Sequence, residues 1–147
     1  MKHTGKLLTA GVLPLLVGYL LNFLLLRLSF PAPPGLLELA LLGLWGYWAY
    51  RLSDPGHGAL RQGLALCAFG LGMLALVLWQ ELALGEYWRN PLGFASQMYF
   101  LPILSVPAAV LSPFLKVVTT WPLYAGEWLS LLAVSCTGCL LMRRRDK

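Results

Sequence analysis

Charge is what this sequence has least of. Only 12% of its 147 residues are Asp, Glu, Lys or Arg, while 59% are hydrophobic, and the mean hydropathy is +0.70. Ordinary soluble domains carry roughly 25% charged residues, so this shortage excludes a water-soluble fold. Histidine is nearly absent as well. His3 lies near the N-terminus and His57 in a Pro-Gly turn, neither with partners at metal-ligand spacing, so no metal is expected. The three cysteines, Cys67, Cys136 and Cys139, all sit in apolar runs, too few and too buried for a secreted disulfide framework. There is no phosphate loop, nucleophile elbow or H-E-x-x-H. No lipidation motif marks either end, and no cofactor is expected. No linker-like stretch divides the chain, which reads as a single membrane domain over 1–147.

What remains is a succession of apolar runs, each near the roughly 20 residues that a helix needs to cross a bilayer. The first covers 7–28, with Pro14 as a tolerated kink. Its basic start resembles a signal peptide, but the run continues without a cleavage site and reads as an uncleaved span. Pro31, Pro33, Pro34 and Gly35 break it. A second run, 36–52, closes on Trp45, Tyr47, Trp48, Tyr50 and Arg51, an interfacial aromatic belt with a basic anchor. The third covers 62–84, and Asn90-Pro91 marks its exit. The last covers 121–142, with Trp121 and Pro122 at its start and Arg143, Arg144 and Arg145 at its end.

Between the third and last runs lies a charge-free stretch, about 91–116, interrupted by Pro102, Pro107 and Pro113. Charge counting decides whether it crosses. If it does not, Lys2, Lys6, Arg51, Arg61, Arg143, Arg144, Arg145 and Lys147 fall on one side, eight positives against three, Arg27, Arg89 and Lys116. If it crosses, the split is five against six and the arginine triplet changes sides. The positive-inside rule favours four spans with both termini cytoplasmic. The fold expected is an all-α integral membrane protein, an antiparallel four-helix transmembrane bundle with a Pro-rich re-entrant or interfacial segment between spans three and four. A bacterial plasma membrane suits its compact size and short loops. The net charge of +5 then reports orientation and contact with anionic headgroups, not nucleic acid.

This topology assigns a depth to each polar residue in a span. Asn22 and Arg27 fall toward the outer end of span one, Glu38 at the outer start of span two, Gln80 and Glu81 at the outer end of span three. Glu127 is deepest, six residues or about 9 Å from Trp121. Intramembrane ionisable groups face a bundle interior or wet cavity and mark functional sites. Together these residues form a candidate outward-facing pocket for a cation, an amine or a proton, with the Pro-rich segment as its lid. The competing reading keeps Glu38 and Glu81 at headgroup level, with Arg27 pairing one of them.

Cys136-Thr137-Gly138-Cys139 is a C-x-x-C, the pairing that supports disulfide exchange in thiol oxidoreductases. In that pair alone the chain resembles four-span quinone-linked disulfide enzymes of the vitamin K epoxide reductase type. It lacks a second, extracytoplasmic cysteine pair, and small residues such as Ser135 and Gly138 more commonly serve close helix packing. Gly43 with Gly46, and Gly70 and Gly72 with Ala68, read the same way, with self-association as a further use.

Three functions follow. The first expectation is a non-enzymatic accessory, regulatory or assembly subunit that packs against another membrane protein within the lipid bilayer. The second is a small transporter or solute-binding protein using Glu127, Glu81 and Glu38. The third is a membrane thiol-disulfide oxidoreductase.

Overall fold

The structure, a computed structural model, describes residues 2–28, 34–105, 108, 110 and 120–145. Among them every regular element is helical: α1 (Lys2–Ala10), α2 (Leu13–Leu28), α3 (Pro34–Leu52), α4 (Ala59–Leu78), α5 (Pro91–Phe100) and α6 (Trp121–Arg145). A π-helical turn, Trp79–Leu84, extends α4, and a 3-10 turn, Leu101–Ile103, extends α5.

Three helical stretches are long and apolar enough to cross a membrane: Thr4–Leu24, Ala59–Leu84 and Trp121–Arg145. The chain is therefore a membrane protein by length and composition. α3 is not among the three, because Glu38, Arg51 and its Trp/Tyr cluster lower the hydropathy of an otherwise leucine-rich helix.

Pro14 acts on the first stretch as its chemistry requires. Without an N–H it cannot bond the carbonyl of Ala10, and the backbone tightens just before it. Val12 N–H bonds the Thr9 carbonyl at 3.2 Å and Leu15 N–H the Val12 carbonyl at 3.0 Å, both one residue short of the α-helical interval. This break divides α1 from α2.

α4 is the central helix, packed on α6, α1 and α5. Its pairing with α6 runs from Gly63 beside Cys136, through Cys67 and Ser135, to Glu81 and Thr120. One set of numbers rises as the other falls. Along α3 and α6 both rise together: Trp45 Nε1–H donates to Ser135 Oγ at 2.8 Å, and Arg145 donates to the Tyr50 hydroxyl at 2.8 Å. Gly46 and Gly138 let the α3 and α6 backbones meet, and an alanine at Gly46 would bring its methyl to 3.0 Å from Val134. Gly70 serves α5 in the same manner, whereas Gly43 and Gly72 face open space.

α5 decides the architecture. Asn90 caps it by accepting from Gly93 N–H at 2.8 Å, and Pro91 occupies its first turn, where a missing N–H leaves no gap. The Asn-Pro pair that ends one helix thus starts the next. α5 then packs between α2 and α4. Tyr19 and Phe94 rings meet at 5.8 Å, and the Met98 backbone lies against Gly18. Tyr99 and Phe100 are fully buried, with the Tyr99 hydroxyl donating to the Gly11 carbonyl at 3.3 Å. Residues 106, 107, 109 and 111–119 of the Pro-rich segment, including Pro107 and Pro113, lie outside the described residues.

Candidate functional site

The structure distributes the candidate polar residues among three places. Glu81, in the π-helical turn, holds a clamp. Its carboxylate accepts from Thr120 N–H at 2.8 Å, from the Thr120 hydroxyl at 2.6 Å and from the Tyr87 hydroxyl at 2.7 Å. The Tyr87 and Thr120 hydroxyl oxygens also touch each other. Burial pushes the Tyr87 phenol upward from its ordinary value, so it keeps the proton that it donates. The clamp therefore ties the loop after α4 to the residue that starts α6.

Gln80, one residue earlier, is fully buried and fully engaged. Its Oε1 accepts from Trp88 N–H at 2.9 Å, and its Nε2 donates to the Leu76 carbonyl at 3.2 Å and to Ser96 Oγ at 3.3 Å. Every polar atom of this amide joins α4 to the entry of α5. Gly85, at φ 70°, supplies the left-handed residue that ends the π-helical turn.

Glu38 and Glu127 form the third place. Both are 0% exposed, and they lie within electrostatic reach of each other, one on α3 and the other on α6. The Ser105 hydroxyl donates to Oε2 of Glu38. Neither carboxylate oxygen of Glu127 has a hydrogen-bond partner among the described residues. Most buried polar side chains are bonded, which makes this group the one most in need of a physical account. Sequence reasoning found both glutamates but missed Ser105. Its only signal was a lone hydroxyl in an otherwise apolar Leu-Ser-Val-Pro run.

Asn22 is half-buried and Arg27 exposed, and neither makes a side-chain hydrogen bond or ion pair among the described residues. The structure thus brings Glu38 and Glu127 within electrostatic reach of each other, and Glu127 and Glu81 both act on Tyr124, while Gln80 is engaged with Trp88, Leu76 and Ser96. It also places Glu38 away from any pairing with Arg27.

A small void of about 30 Å³ lies one helical turn along α3 and α6 from the acid pair, and neither glutamate lines it. Leu41 and Leu131, which line it, lie three residues after Glu38 and four after Glu127, and Pro102 and Ile103 close its other wall. Its volume admits about one water molecule. A wider open groove, about 730 Å³, lies between α2, α5 and the 86–91 segment, with Glu86 and Arg89 on its rim. Neither glutamate of the pair lines it.

All three cysteines are free thiols. Cys136 sits beside Gly63 of α4, while the Cys139 sulfur lies 3.9 Å from the Ala49 carbonyl of α3. Cys67 and Ser135 approach to 3.4 Å. The two members of the C-x-x-C therefore serve different helix contacts.

Comparison with protein families, with curated proteins and with solved structures gives no match, so the functional reading stands on this geometry alone.

Proposed function

We propose that the chain is a four-span membrane protein, with both termini cytoplasmic in a bacterial plasma membrane, that binds a positively charged ligand in its core through Glu127 and Glu38. In this reading α3 crosses beside and parallel to α6, spans consecutive in sequence are antiparallel, and α5 is the entering arm of a re-entrant segment. One observation carries the functional part: Glu127 is fully buried beside a second carboxylate and has no donor among the described residues. An uncompensated buried carboxylate costs several kcal/mol. Whole domains are stable by only about 5–15 kcal/mol, so such a group calls for a compensating ligand.

Reconstitution into liposomes tests the reading. Glu127→Gln is expected to abolish uptake or efflux of protons, alkali cations or small amines, and unchanged flux would remove the proposed role. Labelling of single cysteines introduced at 57, 86 and 147 tests the orientation, with 86 outside and the other two inside.

A second reading, as an accessory or assembly subunit, is favoured by α3. This helix is less apolar than the other three, yet Leu39, Ala40, Gly43, Leu44 and Tyr47 leave an outward face uncovered. A partner helix of another membrane protein, or of a second copy, suits such a face better than lipid alone. Purification in mild detergent as a monomer, with no partner recovered by crosslinking, would count against it.

A further inference from the structure

The open groove of about 730 Å³ between α2, α5 and the 86–91 segment stands apart from the acid pair and has a chemistry of its own. Its frame is held from behind. The Gln80 amide fixes Trp88 N–H, the Tyr87 hydroxyl donates to Glu81, and Asn90 accepts from Gly93 N–H. Glu86 and Arg89 belong to the same fixed segment and line the groove, yet neither side chain makes a hydrogen bond or ion pair among the described residues. Three residues apart, they place one charge of each sign, both unspent, on one rim. Gln97 of α5, which also lines the groove, is unengaged in the same way.

The groove has a direction relative to the membrane. Ala59–Leu84 is long and apolar enough to cross a bilayer, so the segment that follows it stands at the level of the lipid headgroups. From there α5 leads back along α4: Ser96 meets Gln80, and Tyr99 meets Gly70, ten residues earlier on α4. The groove descends with α5. Below the charged rim lie the Tyr19 and Phe94 rings, in contact with each other and 39% and 41% exposed, an aromatic floor. Gln97 lies deeper still, six residues or about 9 Å along α5 from Pro91.

Three levels, charged, aromatic and amide, restrict the occupant. A soluble zwitterion satisfies the rim and leaves the floor bare. An anionic lipid brings its phosphate to Arg89 but sets no positive charge against Glu86. A phospholipid whose headgroup carries both a phosphate and a primary amine answers each level. The guanidinium fork matches a phosphate, and an ammonium supplies three N–H donors to a carboxylate. We propose that this groove binds one zwitterionic phospholipid of the phosphatidylethanolamine class, with its phosphate on Arg89, its ammonium on Glu86, an ester carbonyl on the Gln97 amide and an acyl chain over Tyr19 and Phe94.

Lipid retention tests the proposal. The full chain in mild detergent is offered equal amounts of phosphatidylethanolamine and phosphatidylglycerol with the same acyl chains, and bound lipid is counted by native mass spectrometry. One phosphatidylethanolamine per chain is expected, retained several-fold over phosphatidylglycerol. Arg89→Gln should lower retention of both lipids several-fold. Glu86→Gln should lower retention of phosphatidylethanolamine and raise that of phosphatidylglycerol, so that the preference is lost. Arg61→Gln, which removes an exposed charge near the opposite end of α4, should change neither. Equal retention of the two lipids by the native chain, or unchanged retention in Glu86→Gln and Arg89→Gln, overturns the proposal. A loss in Arg61→Gln as large as in Arg89→Gln also overturns it, by showing an unspecific effect of surface charge. Displacement of the lipid by glycerophosphoethanolamine at equal concentration assigns the rim to a soluble zwitterion and overturns the lipid. The native gel-filtration profile, expected of all three variants because the replaced side chains are exposed, separates lost binding from misfolding.

Discussion

Gly70→Ala is the sharpest probe of how α5 is seated. A methyl group at Gly70 would lie 2.6 Å from the Tyr99 hydroxyl oxygen and 2.9 and 3.0 Å from two of its ring carbons. Real contacts of that kind do not fall below 3 Å, so Tyr99 must move. It has little freedom to do so. The ring is fully buried, meets Phe69 at 5.7 Å and Phe100 at 4.9 Å, and is tethered through its hydroxyl to Gly11. Overpacking of a filled core costs about 1–3 kcal/mol, while the gain in helix propensity from Gly to Ala is about 1 kcal/mol. Gly72→Ala provides the control, since that glycine lies two residues further along the same helix with nothing within 4 Å. The two variants share the propensity gain, so Gly70→Ala is expected to be less stable than Gly72→Ala by about 1–3 kcal/mol. The measurement is unfolding by SDS titration in mixed micelles, followed by the loss of helical signal. Adding Tyr99→Phe to Gly70→Ala should recover part of the loss, because the 2.6 Å contact disappears while the ring contacts remain. If Gly70→Ala proves as stable as Gly72→Ala, α5 does not occupy the space between α4 and α2.

Two further outcomes follow from the same geometry. Gln80→Leu strands the Trp88 N–H that its amide oxygen accepts from, while Ser96 keeps its bond to the Gly93 carbonyl, at a cost of about 1–3 kcal/mol for the group left unpaired. The turn at 85–93 should then become the first site of limited proteolysis. The thiols should alkylate in order of burial: a maleimide is expected to modify half-buried Cys136 first, and Cys67 and Cys139, each 0% exposed, only on denaturation. Intact mass unchanged by reductant would confirm that Cys136 and Cys139 remain unpaired, and a reductant-sensitive bridge would refute it.

Much of the helical layout was legible because its causes are local. Pro14 breaks the first stretch through a missing N–H, and that consequence is readable from one residue. The spans expected at 62–84 and 121–142 appear as Ala59–Leu84 and Trp121–Arg145, since a run of apolar side chains bounded by charge or by Gly and Pro fixes a helix within a few residues. α3 formed where expected, but its own Glu38, Arg51 and aromatic cluster keep it from the hydropathy of the other three. Asn90-Pro91 was read as an exit and is also an N-cap, because the same two residues that stop one helix are suited to start another. The candidate site was legible as a set of residues and not as an arrangement. Gln80 and Glu81 are adjacent in sequence, yet one faces α5 and the other the start of α6, as the roughly 100° between neighbouring residues of a helix requires.

Composition and local order determined by themselves that this chain belongs in a membrane, where its long apolar runs begin and end, and how far each polar residue lies from the end of its run. Which of those residues meet was decided only by tertiary structure. Helices that are apolar nearly all round carry no polar stripe to fix their rotation about the long axis. Distance along a helix can therefore be counted from the sequence, but the direction in which Glu38 and Glu127 point cannot. That direction came from close backbone approach at Gly46 and Gly138, from the Trp45–Ser135 bond, and from α5 filling the space between α2 and α4.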